Sequence, residues 1–392
     1  MFKFTATPPL SLYIHIPWCV RKCPYCDFNS HTVRDDIPEQ AYIEALLADL
    51  EQELPAVWGR TIESLFIGGG TPSLMTPGSL GRLLGEIRAR LQLKPGAEIT
   101  LEANPGTVDR IKFAGFREAG ITRLSIGIQS FQPALLKSIG RIHDDSEAFA
   151  AFEAARLAGF DNINLDLMFG LPGQDIASAM EDLHTATTLA PEHLSWYELT
   201  IEPNTWFYRH PPVRVNDETR WEMQTTGHTL LQQAGYSRYE ISAYAQDGRQ
   251  CRHNLNYWQF GDYLGIGAGA HGKITDAATQ RIHRIAKVKH PRNYLDTAHT
   301  AQRIASRHEL RPDDVVLEFA MNALRLEHGF STAGFTAATG LSTSSIESGI
   351  QQAIGQGLLA QEQDNILATP HGRRYLNELL QYWIPEQDSR AG

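Results

Sequence analysis

The sequence predicts an α/β fold built on a mainly parallel sheet, followed by a small helical module. Three observations carry this reading. Strand-like and helix-like segments alternate six times in the first two hundred residues. The unusual polar and glycine-rich segments recur at the C-terminal ends of the strand segments. The last eighty residues change texture, with two helical patterns before a hairpin pattern. Alternation of this kind implies right-handed βα crossovers, and the C-terminal rim of such strands is where chemistry is housed. Six units are two short of an eightfold barrel, so an incomplete barrel and an open sheet both satisfy the pattern.

The elements follow in order. The first strand, Leu12 to Ile16, leads into a cysteine-rich loop. Ile43, Leu46, Leu47, Leu50 and Leu54 recur at helical spacing. Ser64–Ile67 reads as a strand ending in Gly68-Gly69-Gly70-Thr71-Pro72, and Leu80, Leu83, Leu84, Ile87 and Leu91 mark the next helix. Glu98–Leu101 is a strand ending at Glu102, and a helix lies near Asp109–Ala119. Leu124–Ile128 is a strand ending at Gln129, followed by a helix near Glu147–Ala158. Ile163–Leu167 carries Asp166 near its end, a helix lies near Ala177–Thr188, and Leu194–Leu199 is the sixth strand, with Glu198 near its end.

Residues 205–300 are less regular and rich in aromatics. Residues 281–311 hold eight Lys/Arg against two Asp/Glu, a local +6, read as a solvated helix face or as a partner for ligand carboxylates. Residues 311–392 hold five basic and ten acidic side chains, a net −5. Helices around Val315–Leu326 and Ser344–Gln356, a hairpin at Leu358–Ala368 and a closing helix suggest a winged-helix-like module. Its acidity argues against DNA binding. The expected divisions are residues 1–235, 236–310 and 311–392.

Composition narrows the function. The 392-residue chain is 42% hydrophobic and 20% charged, as globular proteins are, and its formal charge is −10. Bulk electrostatics therefore does not favour nucleic acid. No run of about 18 apolar residues occurs, and the N-terminus lacks a secretory pattern, so a cytoplasmic location is the default. Four cysteines are too few for a disulfide scaffold, and three of them, Cys19, Cys23 and Cys26, fall within eight positions.

Thiolates at CxxxCxxC spacing suit an iron–sulfur cluster, leaving one iron of a [4Fe–4S] cubane open. The alternative is zinc, with His15 or His31 as the fourth ligand. Glycines after the second strand allow close ligand approach or simply a tight turn. Glu102, Gln129 and Asp166 place polar groups on one rim. Gly267-Ala-Gly269-Ala-His271-Gly272 matches GxGxxG without the βαβ context a dinucleotide site needs. Cys251-Arg-His253-Asn254-Leu-Asn256-Tyr257-Trp258 combines an imidazole with aromatic rings. On its residues alone it reads as a hydrogen-bonded histidine in an aromatic core, or as a haem site.

Tyr13-Ile-His15-Ile-Pro17-Trp-Cys19 with CxxxCxxC and GGGTP resembles the radical S-adenosylmethionine superfamily. The branch it resembles contains oxygen-independent coproporphyrinogen III oxidase and a haem chaperone related to it. The resemblance implies a partial (β/α)6 TIM-like barrel and a [4Fe–4S] cluster on Cys19, Cys23 and Cys26. It also implies S-adenosylmethionine contacts at Tyr13, Phe28, Gly69, Gly70, Thr71, Glu102, Gln129, Arg141, Asp166 and Thr200, with glycine amides holding the carboxylate. The oxidase has a fourth cysteine where this chain has Phe28, and a longer segment before the cluster than the eighteen residues here. HNxxYW marks the chaperone side, and it implies haem binding at His253, Asn254, Tyr257 and Trp258. The expectation is a haem chaperone serving haem-requiring proteins, respiratory ones at the membrane among them, with haem propionates near Arg281–Arg292. The alternatives are the oxidase itself, and a radical enzyme acting on another substrate.

Overall fold

The computed structural model describes residues 1–33, 36–142 and 144–384, so the last eight residues of the expected C-terminal module lie outside it. Six parallel strands alternate with helices as the periodicity demands. They are β1 (Leu10–Ile16), β2 (Thr61–Gly69), β3 (Gln92–Ala103), β4 (Arg123–Gln129), β5 (Ile163–Phe169) and β6 (His193–Glu198). Between them run α1 (Glu39–Val57), α2 (Pro77–Arg90), α3 (Arg110–Ala119), α4 (Asp145–Leu157) and α5 (Ile176–Leu189). Asp109, Asp144 and Asp175 cap α3, α4 and α5 by accepting backbone amides three residues on.

Each strand has two chemically different faces. One carries Leu12, Ile14, Leu65, Ile67, Leu101, Ile126 and Leu165, fully buried under the helices. The other carries Ser11, Tyr13, Ser64, Glu98, Thr100, Glu102, Arg123, Ser125, Asn164, Asp166, His193 and Ser195. Hydrogen bonds cross this second face from strand to strand: Ser11 Oγ to Ser64 Oγ at 2.8 Å, Asn164 Nδ2 to Ser125 Oγ at 2.8 Å, and Ser195 Oγ to Asn164 Oδ1 at 3.1 Å. The period of two separates a greasy outside from a polar inside.

The sheet does not stop at six strands. After α6 (Asp217–Gln233) come β7 (Ser237–Glu240) and β8 (Ala243–Ala245); β8 pairs antiparallel with β6, and β7 antiparallel with β8. Then α7 (Arg252–Trp258) leads to β9 (Asp262–Ile266), which pairs in parallel with β1. β10 (His271–Asp276), β11 (Arg281–Lys287) and β12 (Ile304–Glu309) follow antiparallel. The result is one twelve-stranded sheet, order β12-β11-β10-β9-β1-β2-β3-β4-β5-β6-β8-β7, whose two ends do not pair with each other. The irregular region of the sequence is thus the continuation of both sheet edges, and β9 is a seventh parallel strand. Its signal is hidden because Gly265, Gly267 and Gly269 interrupt the apolar pattern.

The basic segment is two strands with the short helix Pro291–Thr297 between them, rather than one solvated helix face. Lys287 and Arg303 are buried against α1. Lys287 Nζ lies 2.5 Å from Asp49 Oδ1 and 2.5 Å from Glu53 Oε1, and Arg303 reaches the same two carboxylates at 2.8 and 2.7 Å. Tyr294 donates to Asp49 Oδ2 at 2.8 Å. These charges lock the added strands to the first helix. Arg281 pairs with Glu309 and Arg284 with Glu318, so they too are spent within the protein.

A second hydrophobic core gathers Val315, Phe319, Phe335, Ile346, Ile350, Leu359, Ile366 and Trp383. Its helices include Pro312–Ala323 and Ser344–Gly355, as expected, with Thr332–Thr339 between them unforeseen. The hairpin Leu359–Glu362 with Asn365–Ala368 gains a third strand at Phe330–Ser331. Phe2 and Phe4 pack into the same core from the N-terminus. No helix among the described residues is long and apolar enough to cross a membrane.

Replacing Asp49 with Ala leaves Lys287 and Arg303 sharing one carboxylate in a buried site. The expected loss is ~3–5 kcal/mol of unfolding free energy, read by urea denaturation. A loss below about 1 kcal/mol would show that the cluster contributes no more than a surface pair.

Candidate functional site

The rim of the parallel strands opens into a cavity of about 310 Å³. Cys19, Cys23 and Cys26 line it, together with Gly69, Gly70, Thr71, Glu102, Gln129, Arg141 and Asp166. Residues scattered over 150 positions therefore meet in one place, as the sheet order requires. The sequence did not single out Tyr25, Asn104, Ser125, Ser195 and Tyr197, which line it too. Ser125 and Ser195 are legible afterwards, because they share the inward register of Asp166.

The cysteine loop is held at both ends. Cys19 sits on the two-residue strand Trp18–Cys19, paired in parallel with His31–Thr32. Lys22 Nζ donates to the Phe28 carbonyl at 3.0 Å across the loop. Tyr25 packs against a satellite cluster containing Leu135, Met168, Leu199 and Phe207. All four cysteines are free.

The thiols of the loop face donors. Thr71 Oγ1 lies 3.5 Å from Cys19 Sγ, and Arg141 Nη1 lies 3.8 Å from Cys23 Sγ. Arg141 also donates to Asn104 Oδ1 at 3.0 Å and to the Gly127 carbonyl, and Asn104 donates to Thr71 at 2.9 Å. Burial raises the Cys19 and Cys26 thiols, so a cationic group or a metal is needed to make them thiolates.

Among the described residues no three His, Cys, Asp or Glu side chains are gathered as a single ion requires. His15 has both ring nitrogens engaged. Its Nε2 is 2.7 Å from the Asn29 carbonyl, which can only accept, so Nδ1 accepts from Tyr13 Oη at 2.9 Å. Burial pushes this neutral imidazole down to about 4. The zinc alternative thus lacks His15. His31 Nε2 is turned to Asn29 Oδ1 at 3.3 Å. Three thiols around a cavity, with an arginine and a hydroxyl donating to sulfur, fit a multi-iron cluster.

The glycine loop corrects an expectation. The amides of Gly69, Gly70 and Thr71 are not free for a ligand carboxylate. Gly69 donates to Glu102 Oε2 at 2.9 Å, Gly70 to the Ile16 carbonyl and Thr71 to the Trp18 carbonyl, both at 2.7 Å. Glycine is required for space: a Cβ on Gly70 would lie 2.5 Å from the Trp18 carbonyl oxygen, and one on Gly69 (φ +118°) 2.6 Å from the His15 ring.

Glu102 and Asp166 face the cavity. Desolvation raises Glu102 to about 8, with Asp166 adding repulsion, although the Gly69 amide opposes the shift. Asp166 is also raised by desolvation, and accepts from Asn164 at 2.8 Å and Ser125 at 3.0 Å. Gln129 bends in at φ +71° after a bulge in β4, and its Oε1 accepts from Tyr197 at 2.8 Å. Asp182 of α5 fixes the next turn through Ser130 and the Phe131 amide, both at 2.8 Å. Desolvation raises both carboxyls, and a cationic ligand beside them would offset the cost of ionising them.

Three expected residues lie elsewhere. Glu198 is paired with Arg220 of α6, and the chain leaving that pair carries Thr200 out to the surface, exposed and away from the cavity. Tyr13 lines a second cavity of about 720 Å³ instead. This one adjoins the first through Cys26, Phe28 and Ser30, and its walls include Tyr257, Tyr263, His271, Lys22 and Lys289. Phe28 stands between the two cavities, 57% exposed.

The HNxxYW residues do not converge on one surface. They form α7, whose amides at Arg252 and His253 donate to Glu98 Oε1 at 3.0 and 3.3 Å. His253 is 1% exposed. Its Nδ1 is 3.1 Å from Ser64 Oγ and its Nε2 3.2 Å from Tyr257 Oη, with Phe66 packed against the ring at 5.1 Å. Burial, with Arg123 adding repulsion, pushes it down to about 3. Trp258 turns the other way, under Arg325 at 4.2 Å, and Asn254 reaches neither cavity. Only Tyr257 reaches the second cavity. The helix spans the gap in the sheet, Leu255 packing on the β7–β8 side and Tyr257 on Tyr263 of β9 at 4.4 Å.

Glu102 makes a pH prediction for the cofactor-free chain. Unfolding returns this carboxyl from about 8 to 4.5, so between these values the folded state holds a proton that the unfolded state has lost. Its contribution to stability therefore falls as pH rises through that window. Glu102→Gln should gain stability relative to the parent between pH 5 and pH 8, read as the shift in urea midpoint. A parent-to-variant difference that does not change with pH removes Glu102 as the titrating group.

Comparison with known proteins completes the description. Residues 13–186 match the Radical SAM superfamily and residues 310–375 the HemN C-terminal domain. A protein of Escherichia coli (strain K12) named heme chaperone HemW is 48% identical over 379 residues, covering 97% of this chain and 99% of that one. The protein of that name from Haemophilus influenzae is 48% identical over 384 residues, with the same coverage, and that of Bacillus subtilis (strain 168) 34% over 388. Among solved structures, the coproporphyrinogen III oxidase (HemN) of Escherichia coli superposes with a TM-score of 0.81 over 96% of this chain and 90% of its own. At 22% identity that likeness establishes the fold, a radical SAM barrel.

Proposed function

Because this chain belongs to the heme chaperone HemW family within the radical SAM superfamily, we propose that it is a haem carrier built around a [4Fe–4S] cluster. The observation that supports it best is the adjacency of two cavities of different character. One is lined by three thiols and two carboxyls, the other by tyrosines, histidines and lysines. Cys19, Cys23 and Cys26 would hold the cluster, and Arg141 and Thr71 would offset the charge on its sulfurs. Glu102, Asp166 and Gln129 would face the ammonium and ribose of S-adenosylmethionine. When bound, the cluster supplies an electron and an open iron to that cofactor.

Haem would occupy the aromatic cavity and pass from it to haem-requiring proteins, respiratory ones among them, in the cytoplasm or at the membrane surface. In this reading α7 is a wall: His253 holds Tyr257 in place and Trp258 faces the C-terminal module. Lys289, rather than Arg281 or Arg284, is the member of the basic segment available to a propionate. The three divisions, residues 1–235, 236–310 and 311–392, would then correspond to cluster-holding barrel, cavity wall and docking module.

Anaerobic reconstitution tests the reading. The parent should acquire iron and sulfide in equal amounts and then bind ferric haem saturably by absorbance. Cys19→Ala, Cys23→Ala or Cys26→Ala should lose the cluster absorbance. Conversion of coproporphyrinogen III by the reconstituted parent, with S-adenosylmethionine and a reductant, would overturn the carrier assignment, as would a lack of haem binding.

A further inference from the structure

We propose that His271 is the iron ligand of this haem carrier, holding an iron porphyrin in the cavity walled by Tyr13, Tyr257 and Tyr263, with Lys22 and Lys289 at its rim. The inference rests on the reading that the chain binds haem, and it names the side chain that does so. Three histidines line this cavity: His15, His31 and His271. His15 spends both nitrogens on Tyr13 and Asn29, and freeing it would release the cysteine loop. His31 is turned to Asn29 and its ring packs edge-on to His290 at 5.4 Å. The His271 ring is exposed and makes no hydrogen bond with any described residue. His253, by contrast, is sealed beneath Phe66 with both nitrogens bonded, so ligation there would require dismantling the barrel's floor.

The backbone under His271 is rigid, which a ligand needs. It opens β10 opposite Ala286, the Ala270 carbonyl accepts the Lys287 amide at 2.9 Å, and Gly265 permits close approach: a Cβ there would lie 1.9 Å from the His271 carbonyl oxygen. Close packing also accounts for the GAGAHG stretch without a nucleotide: a Cβ on Gly267 (φ +106°) would lie 2.5 Å from the His15 carbonyl oxygen. Gly269 (φ +80°) likewise leaves room for Asn29, whose Nδ2 bonds the Ala268 and Lys289 carbonyls at 2.8 Å and joins the cysteine loop to this wall. Desolvation first, then Lys289 and Arg284, lower the His271 imidazole, which favours the neutral form that coordinates iron. Tyrosine rings offer flat apolar surface, and the lysines offer charge for two propionates.

The test is titration of the reconstituted full chain with ferric haem, followed by Soret difference absorbance and by electron paramagnetic resonance of the haem iron. His271→Ala should weaken binding on the order of tenfold or more and change both the Soret position and the spin-state signal. Added imidazole should restore the parent spectrum. His253→Ala should keep the parent Soret position, whatever its affinity. A His271→Ala protein with the parent's affinity or the parent's spectrum overturns the assignment while leaving haem carriage intact. Failure of the parent itself to bind haem would instead overturn the carrier reading on which the proposal stands.

Discussion

The structure depends on how an unclosed barrel satisfies a polar interior. The inward faces of the strands carry serines, asparagine, an arginine and three carboxylates, and the two ends of the sheet never pair. Such groups cannot remain buried without partners. One carboxylate, Glu98, resolves the problem by accepting the free amides at the start of α7. The acid at a helix N-terminus is favourable in itself, and here it seats the helix across the gap. From that helix, His253 reaches Ser64 and Leu255 reaches the opposite edge. Below the rim, the chain Asp166–Asn164–His193–Tyr239 carries the network from barrel to added strands, with His193 Nε2 2.9 Å from Tyr239 Oη.

Closing the floor leaves chemistry only at the rim, and this explains why the site sits where it does. The rim groups are held from behind, by Asp182 beneath the turn after Gln129 and by Asn164 behind Asp166, and from within the cavity wall by Asn104 between Arg141 and Thr71. Desolvation raises the carboxyls of Glu102 and Asp166, so a cationic ligand placed beside them would favour their ionisation.

The glycines show one physical demand met repeatedly. Gly69 and Gly70 let β2 end against His15 and Trp18, Gly265 lets β9 approach the start of β10 at His271, and Gly269 leaves room for Asn29 of the cysteine loop. Each is a point of close backbone approach, and none needs to donate to a ligand. The buried charges of Asp49, Glu53, Lys287 and Arg303 do the complementary task on the far side, fixing the wall of the second cavity to the first helix.

What the sequence determined by itself is local. Apolar periods of 3.6 and of two placed ten of the barrel's elements within a few residues, and the cysteine spacing marked a loop able to hold iron and sulfur. Glu102, Gln129 and Asp166 were legible because polar residues at the ends of apolar strands stand out. The tertiary structure alone decided which of these residues meet. Glu198 shares the pattern but is taken up by Arg220, and Thr200, expected from the resemblance alone, lies exposed beyond it. The basic segment reads as a helix face because burial of Lys287 and Arg303 depends on carboxylates more than two hundred positions away. HNxxYW looked like a single ligand patch, since sequence spacing cannot show that a seven-residue helix has a floor on one side and a module on the other. Within a glycine motif, His271 carries no sequence signal of its own. A free imidazole facing a cavity is a property of neighbours in space, which a linear chain does not display.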